Sequence, residues 1–169
     1  MAALSALAAV FAFTTVQAWK ISDTYSIQFS NSDVSGIFKK FTGTIVFDEN
    51  SPATSRFNVS IDVASINTGN GLQNKHAKSA EWFDAVKYPD IRFTSTKIEK
   101  TGSSYKVTGQ LEIKGVKKEL TFPFTYKKNG NSATFNAEFS INKNDFNVGK
   151  KGDSVGEMIK LKISVPVTK

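Results

Sequence analysis

The sequence is dominated by alternation of apolar and polar residues, which predicts β-strands with one buried face. In the clearest example, Tyr105, Val107 and Leu111 alternate with polar side chains. Eight rows of this kind occur, at residues 25–29, 41–47, 57–63, 91–95, 105–113, 120–126, 135–141 and 159–167. Turn signals such as Lys114-Gly115 and Asn129-Gly130 separate neighbouring rows. The pattern therefore predicts a single all-β domain.

One segment, residues 72–84, breaks the alternation and predicts a short helix between strands. Glycines precede it, and Lys87-Tyr88-Pro89 ends it. The side chains that could point inward from it are Leu72, His76, Trp82 and Phe83. As the longest insertion between strands, it is placed to close one end of a barrel.

Eight strands with one apolar face can form a sandwich or a closed barrel, and only closure removes exposed strand edges. Pro166, in the last row, indicates that this strand has a free edge or ends there. An eight-stranded barrel is just wide enough to be filled by side chains or to hold one small ligand. The alternation alone leaves the filled and the hollow barrel open.

The first eighteen residues carry no charge, and their apolar run is too short to span a bilayer. Small residues before Trp19 fit a signal-peptidase site, although no Lys or Arg precedes the run. We therefore expect a signal peptide over 1–18 and a barrel domain over 19–169. The predicted location is exported, either periplasmic or secreted. The chain has no Cys, so export brings no disulfides.

Net charge is +7, and residues 97–169 supply all of the excess, with 14 basic against 7 acidic side chains. A basic segment such as residues 97–169 could contact anionic lipid or nucleic acid. Because its lysines alternate with apolar residues instead of clustering, we interpret them as solvated strand faces and expect no nucleic-acid partner.

Residues for catalysis or metal binding are scarce, since the chain has one His and no Cys. No nucleophile-elbow motif surrounds a Ser, and no carboxylate cluster has metal-ligand spacing. We therefore expect no catalytic residue, no metal and no cofactor, and a protein that is not an enzyme. His76 could be a polar contact at a cavity mouth, a pH-sensitive group, or a surface residue of the helix.

Several motifs resemble those of the YceI-like, polyisoprenoid-binding family. They are Trp19-Lys20-Ile21, Gly36-Ile37-Phe38-Lys39-Lys40-Phe41-Thr42-Gly43, Ser65-Ile66-Asn67-Thr68-Gly69-Asn70, Asn74-Lys75-His76, Trp82-Phe83-Asp84, Lys87-Tyr88-Pro89-Asp90-Ile91-Arg92-Phe93, Val107-Thr108-Gly109-Gln110-Leu111-Glu112-Ile113-Lys114-Gly115 and Asn142-Lys143-Asn144-Asp145-Phe146. The resemblance runs from Trp19 to the C-terminus. The chain departs from the family at Tyr25 and Asn31, where His is common, and at Lys143, where Arg is common.

The resemblance implies a lipocalin-like, eight-stranded antiparallel β-barrel with a long interior cavity for an isoprenoid or other amphipathic chain. The candidate cavity-wall residues are Phe29, Phe38, Phe41, Phe47, Phe57, Phe93, Leu111, Phe122, Phe124, Phe139 and Phe146. At the mouth the candidates are His76, Trp82 and Phe83. The expected partner is an apolar lipid, with transient membrane-surface contact and a monomer or homodimer.

Two alternatives stay open on the sequence. One is an exported interaction or stress-response module with a packed barrel and a basic contact surface. The other is an outer-membrane barrel, whose apolar face would point outward to lipid.

Overall fold

Antiparallel strands account for most of residues 17–169, the part of the chain that this computed structural model describes. The strands are β1 (Ala18–Ile21), β2 (Ser26–Ser30), β3 (Ser35–Phe38), β4 (Phe41–Val46), β5 (Arg56–Asp62), β6 (Ile66–Asn67), β7 (Asp90–Thr101), β8 (Ser104–Ile113), β9 (Val116–Asn129), β10 (Ser132–Asn142) and β11 (Met158–Thr168). One helix, α1 (Gly71–Ala77), and three 3₁₀ turns, Pro52–Thr54, Val63–Ser65 and Lys143–Phe146, complete the described elements. The predicted signal peptide, residues 1–18, lies almost wholly outside the described residues.

These segments form eight barrel strands, because three of the strands are bent and each is divided into two. β1 and β2 both pair with β11 on one side, and on the other they pair with β4 and β3. In the same way, β5 and β6 follow each other along the partner strand of β4 and β3. From β7 to β11 each strand pairs with the next. The predicted eight-stranded antiparallel β-barrel is confirmed.

Closure happens at β11, which pairs with β10 along its whole length and with β1 and β2 on its other edge. Pro166 therefore does not mark a free edge, contrary to expectation. Its carbonyl oxygen accepts from the backbone N–H of Ser22, in the break between β1 and β2. In an antiparallel strand the N and O of one residue point to the same neighbour, so the missing N–H of Pro166 falls at this break.

The predicted helix is shorter than expected, since α1 ends at Ala77 and not at residue 84. After Ala77 the chain folds back on itself: Phe83 N–H donates to the Ala77 carbonyl, and Asp84 N–H donates to that of Ser79. Asp84 adopts a positive φ of 49°, which a helix does not allow. Leu72, expected to point inward, is 77% exposed. This fold-back brings Trp82 and Phe83 against the barrel.

Close approach of β4 and β5 depends on glycine. Gly43 in β4 has a φ of 140°, and a Cβ there would collide with the backbone oxygen of Asn58 on β5. Only glycine allows the two strands to approach so closely. Among residues 17–169, no helix is long and apolar enough to cross a membrane.

Candidate functional site

The interior of the barrel holds a cavity of about 1100 Å³. The inward-facing apolar rows of the barrel strands line it, together with residues of α1 and of the loops at one end. Its volume is slightly above the usual range for small-molecule sites, roughly 300–1,000 Å³. The alternative of a fully packed barrel is therefore wrong.

All predicted wall residues but one line this cavity. They are Phe29, Phe38, Phe41, Phe57, Phe93, Leu111, Phe122, Phe124, Phe139 and Phe146. His76, Trp82 and Phe83, predicted for the mouth, line it as well. Phe47 does not meet the expectation, because it lies behind the cavity in solid aromatic packing. Whether the lining residues contact a ligand stays a prediction.

One end of the cavity is closed by a floor, defined here as the rings of Phe57, Phe124 and Phe135. Their centroids lie 5.3 Å apart for Phe57 and Phe124, and 5.6 Å for Phe57 and Phe135. Phe47 packs behind all three, at 5.3 Å from Phe135 and 5.7 Å from Phe124. Offset and edge-to-face contacts at these distances are favourable for aromatic rings.

Aromatic side chains fill the barrel end behind the floor. Trp19 Nε1 donates to the Phe47 carbonyl oxygen over 3.1 Å. Tyr126 lies 4.8 Å from Phe47, and burial, aided by the charge of Glu49, raises the pKa of Tyr126 to about 12. Burial likewise raises the pKa of Tyr105. Such shifts arise when a phenolate would lose hydration.

The opposite end is the mouth, formed by α1, the turn at residues 78–89 and the β10–β11 loop. Gln73, Lys75 and His76 are exposed and also line the cavity, so the cavity reaches the surface here. The Asn70 side chain caps α1 by accepting from Leu72 and Gln73 N–H. Polar lining side chains from loops and helix are concentrated at this end, whereas the floor is aromatic.

The loops of the mouth are tied to one another. Lys114, in the β8–β9 turn, donates through Nζ to the carbonyl oxygens of Glu81 and Asn147, over 3.0 and 2.8 Å. Gly149 N–H donates to the same Glu81 carbonyl. Phe83 packs edge-on against Phe38 at 6.2 Å. The turn after α1 is therefore held by two other loops and one wall ring.

A buried ion pair organises the β10–β11 loop. Lys143 is 4% exposed, and its Nζ donates to Asp153 Oδ2 over 2.9 Å, and also to the Lys150 carbonyl oxygen. Its ammonium group lies 5.4 Å from the ring centre of Trp82. Burial alone would raise the pKa of Asp153, but hydrogen bonds from Lys143, Val155 and Lys150 outweigh it and lower the pKa.

Trp82 brings a polar atom to the mouth that the wall residues lack. Its ring lines the cavity 5.5 Å from His76. Its Nε1 is buried and has no hydrogen-bond acceptor among residues 17–169. In the same described range no group of three His, Cys, Asp or Glu residues could hold a metal ion.

Sequence reasoning missed the aliphatic part of the lining. These residues include Ile27, Ile45, Val59, Ile61, Leu120, Ile141, Leu161 and Ile163. They stand in the same alternating rows as the phenylalanines, so the signal was present, and choosing by ring size alone left them out. Val148 and Val155 line the cavity from the β10–β11 loop, where no periodicity could indicate them.

Fold and site together define a class: a closed antiparallel barrel with an apolar cavity, floored at one end and open at the other. The YceI-like domain model matches residues 14–167, and the chain belongs to this family. Protein YceI of Escherichia coli O157:H7 is 36% identical over 136 residues, covering 77% of this chain and 71% of that protein. Protein YceI of Salmonella arizonae is 35% identical over the same length and shares of each chain.

Solved structures share the architecture. Burkholderia cenocepacia BcnA superposes with a TM-score of 0.82 at 32% identity, covering 85% of this chain and 96% of that one. A polyisoprenoid binding domain from Saccharophagus degradans superposes with a TM-score of 0.69 at 12% identity, covering 89% and 97%. At that identity the second likeness establishes the fold alone.

The lowered pKa of Asp153 predicts how acid affects stability. The carboxylate stabilises the fold above its unfolded pKa of about 3.9, and this contribution disappears as pH falls towards the lower folded value. In Asp153→Asn the buried Lys143 loses its counter-charge, which should cost about 3 kcal/mol at neutral pH. Urea unfolding followed from neutral pH to about pH 3 should show a weaker acid dependence in this variant than in wild type.

Asp145→Asn is the matched control, because Asp145 is an exposed carboxylate close to Lys143 in sequence. It should unfold within about 0.5 kcal/mol of wild type. An Asp153→Asn variant that kept the full acid dependence of wild type would show that this ion pair does not govern it.

Proposed function

We propose that this protein is a non-enzymatic binder of a long apolar or amphipathic lipid of the isoprenoid type, held inside the barrel cavity. One observation carries the proposal: a cavity of about 1100 Å³, walled by Phe, Ile, Leu and Val, floored at one end and open at the other. The Saccharophagus degradans domain, which has this fold, is described as polyisoprenoid binding.

The energetics favour such a ligand. Burial of an apolar chain gains about 0.8 kcal/mol per CH₂, so a long chain can bind tightly with few polar contacts. Rigid aromatic walls provide contact area at little cost in conformational entropy. The direction of binding follows from the lining: the tail lies towards the floor, and a polar head lies at the mouth beside Lys75, His76 and Ser79.

The outward faces support an aqueous exterior for the barrel. Lys160 and Lys162 are exposed on β11, while Leu161 and Ile163, which alternate with them, line the cavity. An outer-membrane barrel has the reverse pattern, apolar outside and polar inside. The uncharged residues 1–18 support export to the periplasm or the exterior, where the protein would carry or store its lipid.

Filling the cavity tests the proposal. Ala137 on β10 lines the cavity, and Ala137→Trp should occupy the space of the ligand and lower affinity for a prenyl alcohol such as geranylgeraniol more than tenfold. Ser140→Trp is the control, because Ser140 is exposed on the same strand. Isothermal titration calorimetry measures the affinity of each variant for the prenyl alcohol. In a separate experiment, organic extraction of purified wild-type protein and mass spectrometry of the extract identify any co-purified lipid.

Wild-type protein should release a co-purified lipid or take up the prenyl alcohol. If wild-type protein neither releases a lipid nor takes up the prenyl alcohol, lipid binding inside the barrel is contradicted. Equal affinity in wild type and Ala137→Trp would contradict it as well.

The mouth also supports a transient contact with an anionic membrane surface, which would be the source or destination of the lipid. Leu72 is 77% exposed at the rim of the cavity, and Lys75 and Lys78 follow it on α1 and just after it. Basic residues near an anionic surface gain about 1 kcal/mol each. The combination of an exposed apolar side chain with two lysines complements such a surface.

We expect co-sedimentation with vesicles of phosphatidylglycerol and phosphatidylcholine, and little with phosphatidylcholine alone. Lys75→Glu/Lys78→Glu should weaken it at least tenfold, given about 1 kcal/mol lost per lysine and added repulsion. Lys100→Glu/Lys127→Glu, at the floor end, changes the net charge equally and should have a smaller effect. Equal effects of the two pairs would indicate attraction by net charge and exclude docking through the mouth.

A further inference from the structure

The floor of the cavity is unlike its walls, because it is backed by solid protein. Phe47, behind Phe57, Phe124 and Phe135, is 2% exposed. On its far side the centroid of its ring lies 5.0 Å from that of Tyr105 and 4.8 Å from that of Tyr126. A close-packed aromatic layer of this kind has no room into which a floor ring could be pushed.

Hydrogen bonds fix the floor residues in place as well. The Phe57 N–H donates to the hydroxyl of Ser95 on β7 over 2.8 Å, and Ser95 is buried. The Ser95 contact lies at the register shift between β7 and β8. Ser55, fully buried, accepts from Asp48 N–H through its hydroxyl. These two hydrogen bonds therefore anchor the loop that connects Phe47 to Phe57 at both of its ends.

The wall rings Phe93, Phe122 and Phe139 have a different arrangement. Phe122 stacks on Phe139 at 4.2 Å and lies 5.2 Å from Phe93. Phe122 and Phe139 are half-buried and line the side of the cavity. A change in these rings alters the width of the cavity, whereas a change in the floor rings alters its depth.

We propose that the floor formed by Phe57, Phe124 and Phe135, backed by Phe47, determines the length of the apolar chain that the cavity accepts. This inference rests on the proposed lipid binding. Each added carbon gains contact until the chain end reaches Phe57 and its neighbours. Beyond that length, further carbons must stay at the mouth in water or crowd the floor, and forcing atoms into a packed layer is unfavourable.

The test is affinity across a series of prenyl alcohols, from geraniol through farnesol and geranylgeraniol to longer polyprenols. In wild type, affinity should rise by up to about fourfold per buried carbon, which corresponds to the free energy of burying a methylene. It should then stop rising at one chain length. In Phe57→Ala, this limit should move to a longer alcohol, because the missing ring deepens the cavity.

Two further variants separate depth from general loosening. Phe139→Ala removes an equally half-buried ring from the wall, and it should lower affinity by a similar factor for all alcohols without moving the limit. Val59→Phe adds a ring two residues along β5 from Phe57, on the same inward row. It should move the limit to a shorter alcohol, a shift that a loosened fold cannot produce.

An identical limit in wild type, Phe57→Ala and Val59→Phe would overturn the proposal, as would a shift in Phe139→Ala equal to that in Phe57→Ala. If Phe57→Ala fails to fold, Phe57→Leu, a smaller truncation of the same floor ring, takes its place and should also move the limit to a longer alcohol. Failure of every alcohol to bind wild-type protein would instead contradict the proposed function itself, so the two failures are distinguishable.

Discussion

Closure of the backbone ladder at β11 is the constraint on which the rest of this structure depends. β11 pairs with β10 over eleven residues and, on its other edge, with the bent first strand. Once the ladder closes, all eight apolar rows face one enclosed space. The cavity, its floor and its mouth are consequences of how that enclosed space is filled.

The enclosed space is filled unevenly. At one end Trp19, Phe47, Tyr105 and Tyr126 meet across the barrel and leave no room. Further along the barrel, the rows carry the same kinds of residue, but side chains from opposite walls do not meet across the barrel. A cavity of about 1100 Å³ remains there. The mouth stays open, and it is framed by loops that Lys114 and the Lys143–Asp153 pair hold together. The closed ladder and the solid end are complete without a filled cavity, so the barrel can be closed and hollow at once.

Much of the fold was predictable from the sequence, because alternation with period two specifies strands and the direction of each side chain. The eight rows correspond to the eight barrel strands. The breaks that divide three of these strands, such as residues 22–25 between β1 and β2, were not predictable, because alternation does not indicate where a paired strand bends. The sequence predicts helix for residues 78–84, with Trp82 and Phe83 as candidate inward side chains. Hydrogen bonds that fold the chain back, such as Phe83 N–H to the Ala77 carbonyl oxygen, determine the conformation of that segment instead.

The site was predictable in kind but not in extent. Alternation marks an inward residue without telling whether another ring opposes it, so Phe47 and Phe57 look alike in sequence although one is packed behind the cavity and the other lines it. Buried Lys143 is likewise unremarkable in sequence, because its partner Asp153 lies ten residues away in an irregular loop. Such distinctions depend on three-dimensional distances that a one-dimensional pattern does not contain.

The central claim, that the inward rows enclose an empty apolar space, can be tested directly on delipidated crystals under xenon pressure. Apolar cavities without water bind xenon. An empty cavity should give xenon density between the floor rings Phe57 and Phe124 and the wall rings Phe93 and Phe139. Density for phenyl rings in contact across the barrel at this level, with no xenon between them, would contradict it.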